Sequence, residues 1–229
     1  MEKGVAATRA RSVWVAVDQY LTGLLVPRDA ALEAARAANA AAQLPAIDVS
    51  PNQGKLLHLL ARALQARSIL EIGTLGGYST IWLARALPSD GRLITLEREP
   101  KHAAVARENI ERAGLAQLVD VRVGAALETL PVIESEGRGP FDMIFIDADK
   151  EGSSSYVQWA VRLSQPGTLV VIDNVVRNGS VINLADQAPG VQGTRRMFDV
   201  LSKEPRLDAT GIQTVGSKGY DGFVLALVN

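Results

Sequence analysis

From Ser68 onward the chain alternates short apolar runs with amphipathic stretches. The runs SILEIG (68–73), RLITLE (92–97), LVDVRVG (118–124), FDMIFID (141–147) and TLVVIDN (168–174) read as strands. Between them, YSTIWLARAL (78–87), KHAAVARENIERAG (101–114), ALETLPVIES (126–135) and SSYVQWAVRLS (154–164) read as helices. Strands this apolar are expected to be covered on both faces, the pattern of a parallel sheet with helices on each side. After Asn174 a polar stretch runs to Gly193, and a helix is predicted over 194–203. The C-terminal LDATGIQTVGSKGYDGFVLALVN reads as two strands joined at Gly216–Gly222, a hairpin that makes at least one terminal strand antiparallel.

Upstream the period is helical. Residues 29–43 are alanine-rich, with Asp29 and Glu33 suited to a first turn. Ser50 is the expected N-cap of the next helix, Pro51 its first residue and Gln53 the return arm of a capping box. Leu56, Leu57, Leu60 and Leu64 then recur at helical spacing. The predicted fold is α/β: a doubly wound, mostly parallel seven-stranded sheet with an antiparallel C-terminal hairpin and N-terminal helices. A single domain over 1–229 is expected, with 1–48 a helical segment and 49–229 the core.

Composition narrows the class. The 229 residues are 47% hydrophobic and 21% charged, as in a globular protein. No apolar run approaches the ~18 residues of a membrane helix, and MEKGVAATRARSVW lacks the apolar core of a signal peptide. The chain contains no cysteine, which excludes disulfides, thiolate zinc sites and cysteine nucleophiles. A cytoplasmic location is expected. A net charge of −1 gives no broad footprint for nucleic acid.

Candidate chemistry sits where the apolar runs end, since ligands of doubly wound sheets bind at the carboxyl ends of the strands. The first strand leads into EIGTLGGYS, placing Glu71, Gly73, Thr74, Gly77, Tyr78 and Ser79 around a strand-to-helix turn. The order is G-x-x-G-G, not the dinucleotide fingerprint G-x-G-x-x-G. Glu97 ends the second strand 20 residues beyond Gly77, where a carboxylate can accept from both ribose hydroxyls. Ribose recognition without a pyrophosphate loop points to S-adenosylmethionine rather than NAD. Glu71 lies inside the first strand and needs a partner, for which the cationic amino group of a methionine moiety is suitable, directly or through water.

Asp147 ends the fourth predicted strand, and Asp173 and Asn174 end the fifth. If these strands are neighbours, the three side chains form a hard, incomplete oxygen set suited to Mg²⁺, with Ca²⁺ or Mn²⁺ as alternatives. The competing reading is that both aspartates cap helices. Lys150 can share the site, and a cation beside it favours the neutral amine, a usable general base. His58 and His102 are expected at the surface or core edge.

These residues carry a resemblance. ILEIGTLGGYSTIWLARALP (69–88), FDMIFIDADKEG (141–152) and LVVIDNVVRNGSV (169–181) are similar to the cation-dependent class I O-methyltransferases, the caffeoyl-CoA and catechol group. The similarity spans Val49 to Val181 and the C-terminal hairpin. It implies S-adenosylmethionine on Val49, Glu71, Gly73, Thr74, Gly77, Tyr78, Ser79, Glu97, Ala126 and Asp147. It further implies a divalent cation on Asp147, Asp173 and Asn174, Lys150 as base, and Asn178 near the acceptor. Asp149 stands where the animal catechol enzymes carry tryptophan, which places the chain with the bacterial branch. The expected acceptor is a phenolic small molecule with two adjacent hydroxyls, and a homodimer is implied. Trp14, Tyr20 and the 175–193 loop are candidate linings of the acceptor pocket. Two other readings stay open. One is a tRNA hydroxyuridine methyltransferase using Arg9, Arg11, Arg195 and Arg196; the other is a non-catalytic nucleotide- or metal-binding module.

Overall fold

The structure, a computed structural model, describes residues 2–229, with side chains from Ala10 onward. Three helices come first: α1 (Glu2–Leu25), α2 (Ala30–Ala41) and α3 (Pro51–Ala63). The alternation follows as β1 (Ser68–Ile72), α4 (Tyr78–Ala84), β2 (Arg92–Glu97), α5 (Pro100–Arg112), β3 (Val119–Val123), α6 (Ala126–Ser135), β4 (Phe141–Ile146), α7 (Ser153–Arg162) and β5 (Ser164–Asp173). A 3-10 segment at Arg177–Ile182 leads to α8 (Pro189–Leu201), β6 (Leu207–Gly216) and β7 (Gly219–Val228).

The local signals explain most of the starts. Asp29 is the N-cap of α2, its Oδ1 accepting from Leu32 N at 2.9 Å, and Arg85 of the α4 C-cap grips the same carboxylate. Ser50 Oγ accepts from Gln53 N at 3.2 Å as the cap of α3. The expected capping box is only half made, because the Gln53 side chain turns to Asp173 instead. α8 begins at Pro189, five residues before the predicted start at 194. The Pro-Gly pair there reads as a break, yet proline at the first helical position starts a helix. The hairpin turn is tighter than predicted: Gly216 pairs with Gly219, leaving only Ser217 and Lys218 in the loop.

The sheet order is β3-β2-β1-β4-β5-β7-β6, with β5·β7 and β6·β7 antiparallel and the other pairs parallel. Side chains alternate faces as the pleat requires. Ile69, Leu93, Met143, Phe145 and Val171 pack with Leu57 and Ile81 on one side. Leu70, Ile94, Ile144, Ile146 and Ile172 pack with Leu130, Val157 and Met197 on the other. Each such Leu or Ile contributes about 1.5–3 kcal/mol by burial. The strand order reverses between β1 and β4, which opens a crevice at their carboxyl ends. Among the described residues no helix is long and apolar enough to cross a membrane.

Candidate active site

At this crevice lies a cavity of about 640 Å³ lined by Val49, Gly73, Thr74, Tyr78, Ser79, Glu97, Ala126, Asp147 and Lys150, among others. Its floor depends on a missing side chain. Gly73 has φ +105°, and a Cβ there would lie 2.1 Å from Asp147 O. Gly73 N donates to Leu96 O at 3.0 Å and Asp147 N to Ile72 O at 2.8 Å, so the ends of β1, β2 and β4 are drawn together. Gly77, the N-cap of α4 at φ +83°, sits behind the wall and does not line the cavity.

Glu71 is also behind the wall and fully buried. Its carboxylate accepts from Ser79 Oγ at 2.6 Å, from Thr95 Oγ1 at 2.7 Å and from Thr80 Oγ1. Thr74 Oγ1 pairs with Thr95 Oγ1 and extends the relay. Burial pushes Glu71 up to about 7, against the three hydroxyls, which lower it. The partners of this acid are thus hydroxyls; one bearer, Ser79, faces the cavity, as does Thr74, linked to Glu71 through Thr95.

Glu97, at the end of β2, is held by two backbone amides. Leu75 N donates to Oε2 at 2.7 Å and Glu99 N to Oε1 at 2.9 Å. Each oxygen retains capacity for a further donor. His102 Nδ1 lies 3.5 Å from Glu97 Oε1 and lines the same cavity, so this histidine belongs to the crevice, not merely to a helix surface. His58 is the core-edge residue expected, its ring nitrogen 3.2 Å from Trp82 O.

Because β4 and β5 are neighbours, the oxygen set converges. Asp173 is buried, and its carboxyl is raised by burial first and by the Asp147 charge next; Lys150, the Asn174 amide and Gln53 oppose the rise. Lys150 Nζ lies 3.2 Å from Asp147 Oδ1. Asn174 adopts φ +59° and lines the 640 Å³ cavity together with Asp147. Asp173 and Asn174 line a second cavity of about 510 Å³ with Gln53, Ser50, Asp18 and Phe223. The two cavities share Ile47, Asp48, Val49, Asn174 and Arg177, so the oxygen set stands at their junction. Among the described residues no cluster of three or more His, Cys, Asp or Glu could hold a metal; two carboxylates and an amide oxygen are what the site offers.

Some expected residues lie elsewhere. Asn178 is exposed and lines neither cavity. Trp14 and Tyr20 line neither, whereas Asp18 of the same helix does. Of the 175–193 loop, Arg177 and Gly190 reach the crevice. Asp149 accepts from Gly152 N at 2.8 Å and from the Tyr156 hydroxyl, and both Asp149 and Tyr156 line the first cavity. Arg195 is occupied: it donates to the carbonyls of Ser180, Val181, Asn183 and Asp186 and clamps the loop before α8. The Arg9 side chain lies outside the described residues. Three further residues of the crevice, Asp48, Gln53 and Arg177, carry no sequence signal for a role at the site. They reach it from loops and a helix far apart in sequence, and the one spacing signal among them, that of Gln53 from Ser50, marks a helix cap.

A family model described as O-methyltransferase matches residues 26–227. The chain belongs to the O-methyltransferase family. The catechol O-methyltransferase of Niastella koreensis is 57% identical over 216 residues, covering 94% of this chain and 98% of its own. An O-methyltransferase from Bacillus cereus, solved in complex with SAH, superposes with a TM-score of 0.94 at 57% identity, over 95% of this chain and 99% of its own. TomG from Streptomyces achromogenes, an O-methyltransferase of tomaymycin synthesis solved with SAM, gives 0.93 at 52% identity, over 96% and 98%. The methyltransferase described here is therefore an S-adenosylmethionine-dependent enzyme with the expected Rossmann-like sheet. Its crevice at the β1–β4 reversal lies where the strand order places such a ligand.

Proposed function

We propose that this methyltransferase acts on a catechol-like phenol with two adjacent hydroxyls, and that it needs a divalent cation, Mg²⁺ before Ca²⁺ or Mn²⁺. The observation that carries the reading is the convergence of Asp147, Asp173, Asn174 and Lys150 at the junction of the two cavities. The donor set fits a cation. Two carboxylates and one ammonium leave a negative charge over, and burial of Asp173 beside Asp147 makes that charge costly without a counter-ion. Asp147, Asp173 and Asn174 would hold the ion, which when bound supplies Lewis acidity and a template for two vicinal oxygens.

The chain's own groups account for the rest. The 640 Å³ cavity receives the cofactor, with the Glu97 carboxylate available to its ribose hydroxyls and the hydroxyls of Ser79 and Thr74, bonded to Glu71 directly and through Thr95, at its methionine end. Lys150 Nζ is the group placed to take the phenol proton. The sulfonium methyl is already electrophilic, so holding the phenol oxygen in line with it supplies much of the rate. The 57% identity to a catechol O-methyltransferase supports this acceptor class.

Methylation of catechol with labelled S-adenosylmethionine, before and after chelation, tests the reading. Activity should vanish with chelator and return with Mg²⁺; undiminished turnover in chelator would end the metal assignment. We also propose a homodimer, supported by the exposed apolar stripe Val13, Val17, Tyr20 and Leu24 on α1. Sedimentation equilibrium should give twice the chain mass.

A further inference from the structure

Arg177 lines both cavities, three residues past Asn174. Its backbone is left-handed at φ +57°, a conformation that side-chain-bearing residues adopt only when the surroundings impose it. Asp221 imposes it: the carboxylate accepts from Val176 N at 2.9 Å, from Arg177 N at 3.0 Å and from Gly222 N at 3.0 Å. The guanidinium is located by Gly190, where a Cβ would lie 3.8 Å from Arg177 Nη2 and 3.7 Å from Lys150 Cβ. The arginine head and the Lys150 stem therefore flank the same glycine.

Nothing in the fold explains the guanidinium. Among the described residues it has no hydrogen-bond or ion-pair partner. Its position against the first turn of α8 gains nothing from the helix dipole. Three acids that line the second cavity with it bond elsewhere: Asp221 Oδ1 accepts from three amides, Asp18 from Asn52 and Ser217, and Asp48 Oδ1 from Asn39, and among the described residues none of them bonds to the guanidinium. A half-buried arginine with five side-chain donors, lining both cavities beside the Lys150 stem, finds no acceptor among the described residues. Its planar fork matches a carboxylate.

We infer that Arg177 is a specificity residue, which favours acceptors carrying a carboxylate on the ring or on a short side chain besides the two adjacent hydroxyls. The inference rests on the reading of the site as one that methylates catechols.

The test compares kcat/KM for catechol, 3,4-dihydroxybenzoate and 3,4-dihydroxyphenethylamine, with Mg²⁺ and S-adenosylmethionine, in the wild type, Arg177→Gln and Arg177→Lys. The wild type should prefer the benzoate to catechol and catechol to the amine. Arg177→Gln should lower the benzoate-to-catechol ratio about tenfold, chiefly through KM, and Arg177→Lys should keep part of it. Because the pair is partly exposed, raising the salt should shrink the wild-type preference, a readout that needs no variant. A ratio unmoved by both salt and Arg177→Gln overturns the inference. So does an equal loss for all three acceptors with weaker cofactor binding by calorimetry, which would assign Arg177 to the cofactor. A wild type that methylates catechol without preferring the benzoate refutes this inference alone; one that methylates none of the three refutes the proposed function with it.

Discussion

A Cβ built on Gly73 would lie 2.1 Å from the carbonyl oxygen of Asp147. The ends of β1 and β4 thus touch through backbone alone, and φ +105° at Gly73 bars other residues on a second count. Gly73→Ala should destabilise the protein by about 1–3 kcal/mol through overpacking, and should weaken S-adenosylmethionine binding by displacing Asp147. Thermal melting and calorimetry measure the two effects; a variant with wild-type melting and affinity would show that the strand ends can separate freely.

Glu71 predicts a pH dependence. Its folded-state value of about 7 lies above the ordinary 4.5, so the folded chain binds more protons than the unfolded chain between those values. Stability from this group is therefore present below pH ~4.5 and is lost as pH rises to ~7, by on the order of 3 kcal/mol. Glu71→Gln removes the dependence while keeping an oxygen for the hydroxyls. Denaturant melts of both proteins from pH 4.5 to 8 should show the wild type losing ground to the variant over that window. A constant difference would place the Glu71 value outside it.

The strands were legible because burial on both faces leaves nearly unbroken apolar runs, and Glu71, Glu97, Asp147 and Asp173 stood out as acids within or ending them. The reversal between β1 and β4, which joins Gly73 to Asp147, follows from topology and has no local mark. Asp48, Gln53 and Arg177 were illegible for a related reason: each is an ordinary polar residue until tertiary packing turns it into the crevice. Gln53 is the sharpest case. Its spacing from Ser50 signalled a capping box, but the buried Asp173 competes for the side chain. The start of α8 was misplaced because Pro189 and Gly190 signal both a break and a helix start.

Asp173 should trade stability for chemistry. Its carboxyl is raised by burial and by the neighbouring Asp147 charge, so above neutral pH the ionised form strains the apo protein. Asp173→Asn keeps an oxygen for the Asn174 amide, which now donates to Asp173 Oδ1 at 2.9 Å. The variant should melt higher than the wild type in chelator at pH 8 while catechol methylation falls at least 100-fold. A variant less stable than the wild type under those conditions would show that the buried carboxylate is compensated by the chain itself.

Lys150 is held at the junction by α8, for a Cβ on Gly193 would lie 2.0 Å from Lys150 O. Lys150→Ala should lower kcat by 10²–10⁴, the usual range for a lost general base, with cofactor affinity changed much less. Gly193→Ala keeps the amine but displaces the Lys150 backbone that carries it, and should reduce kcat in the same direction by a smaller factor. Single-turnover kinetics with calorimetry separate chemistry from binding; parallel losses of both quantities would make Lys150 a structural residue.

Asn39 and Asn109 tie the N-terminal segment to the cofactor crevice. Asn109 Nδ2 donates to Gly76 O at 2.9 Å and to Asn39 Oδ1 at 3.1 Å, and Asn39 Nδ2 donates to Asp48 Oδ1 at 2.8 Å. Both amides are buried, and Asp48 lines both cavities. Asn109→Ala leaves the Gly76 carbonyl and the Asn39 oxygen without their donor, at about 1–3 kcal/mol for each buried group. In a chain of this size that lowers the melting temperature by roughly 4–24 °C. The glycine turn and the Asp48–Val49 loop lose their common tie, so S-adenosylmethionine affinity should fall several-fold with kcat at saturation little changed. Ser135→Ala, which removes an exposed hydroxyl bonded, among the described residues, only to Val132 O, provides a control with neither effect. An Asn109→Ala protein that melts lower yet binds the cofactor as tightly as the control would confine the network to stability.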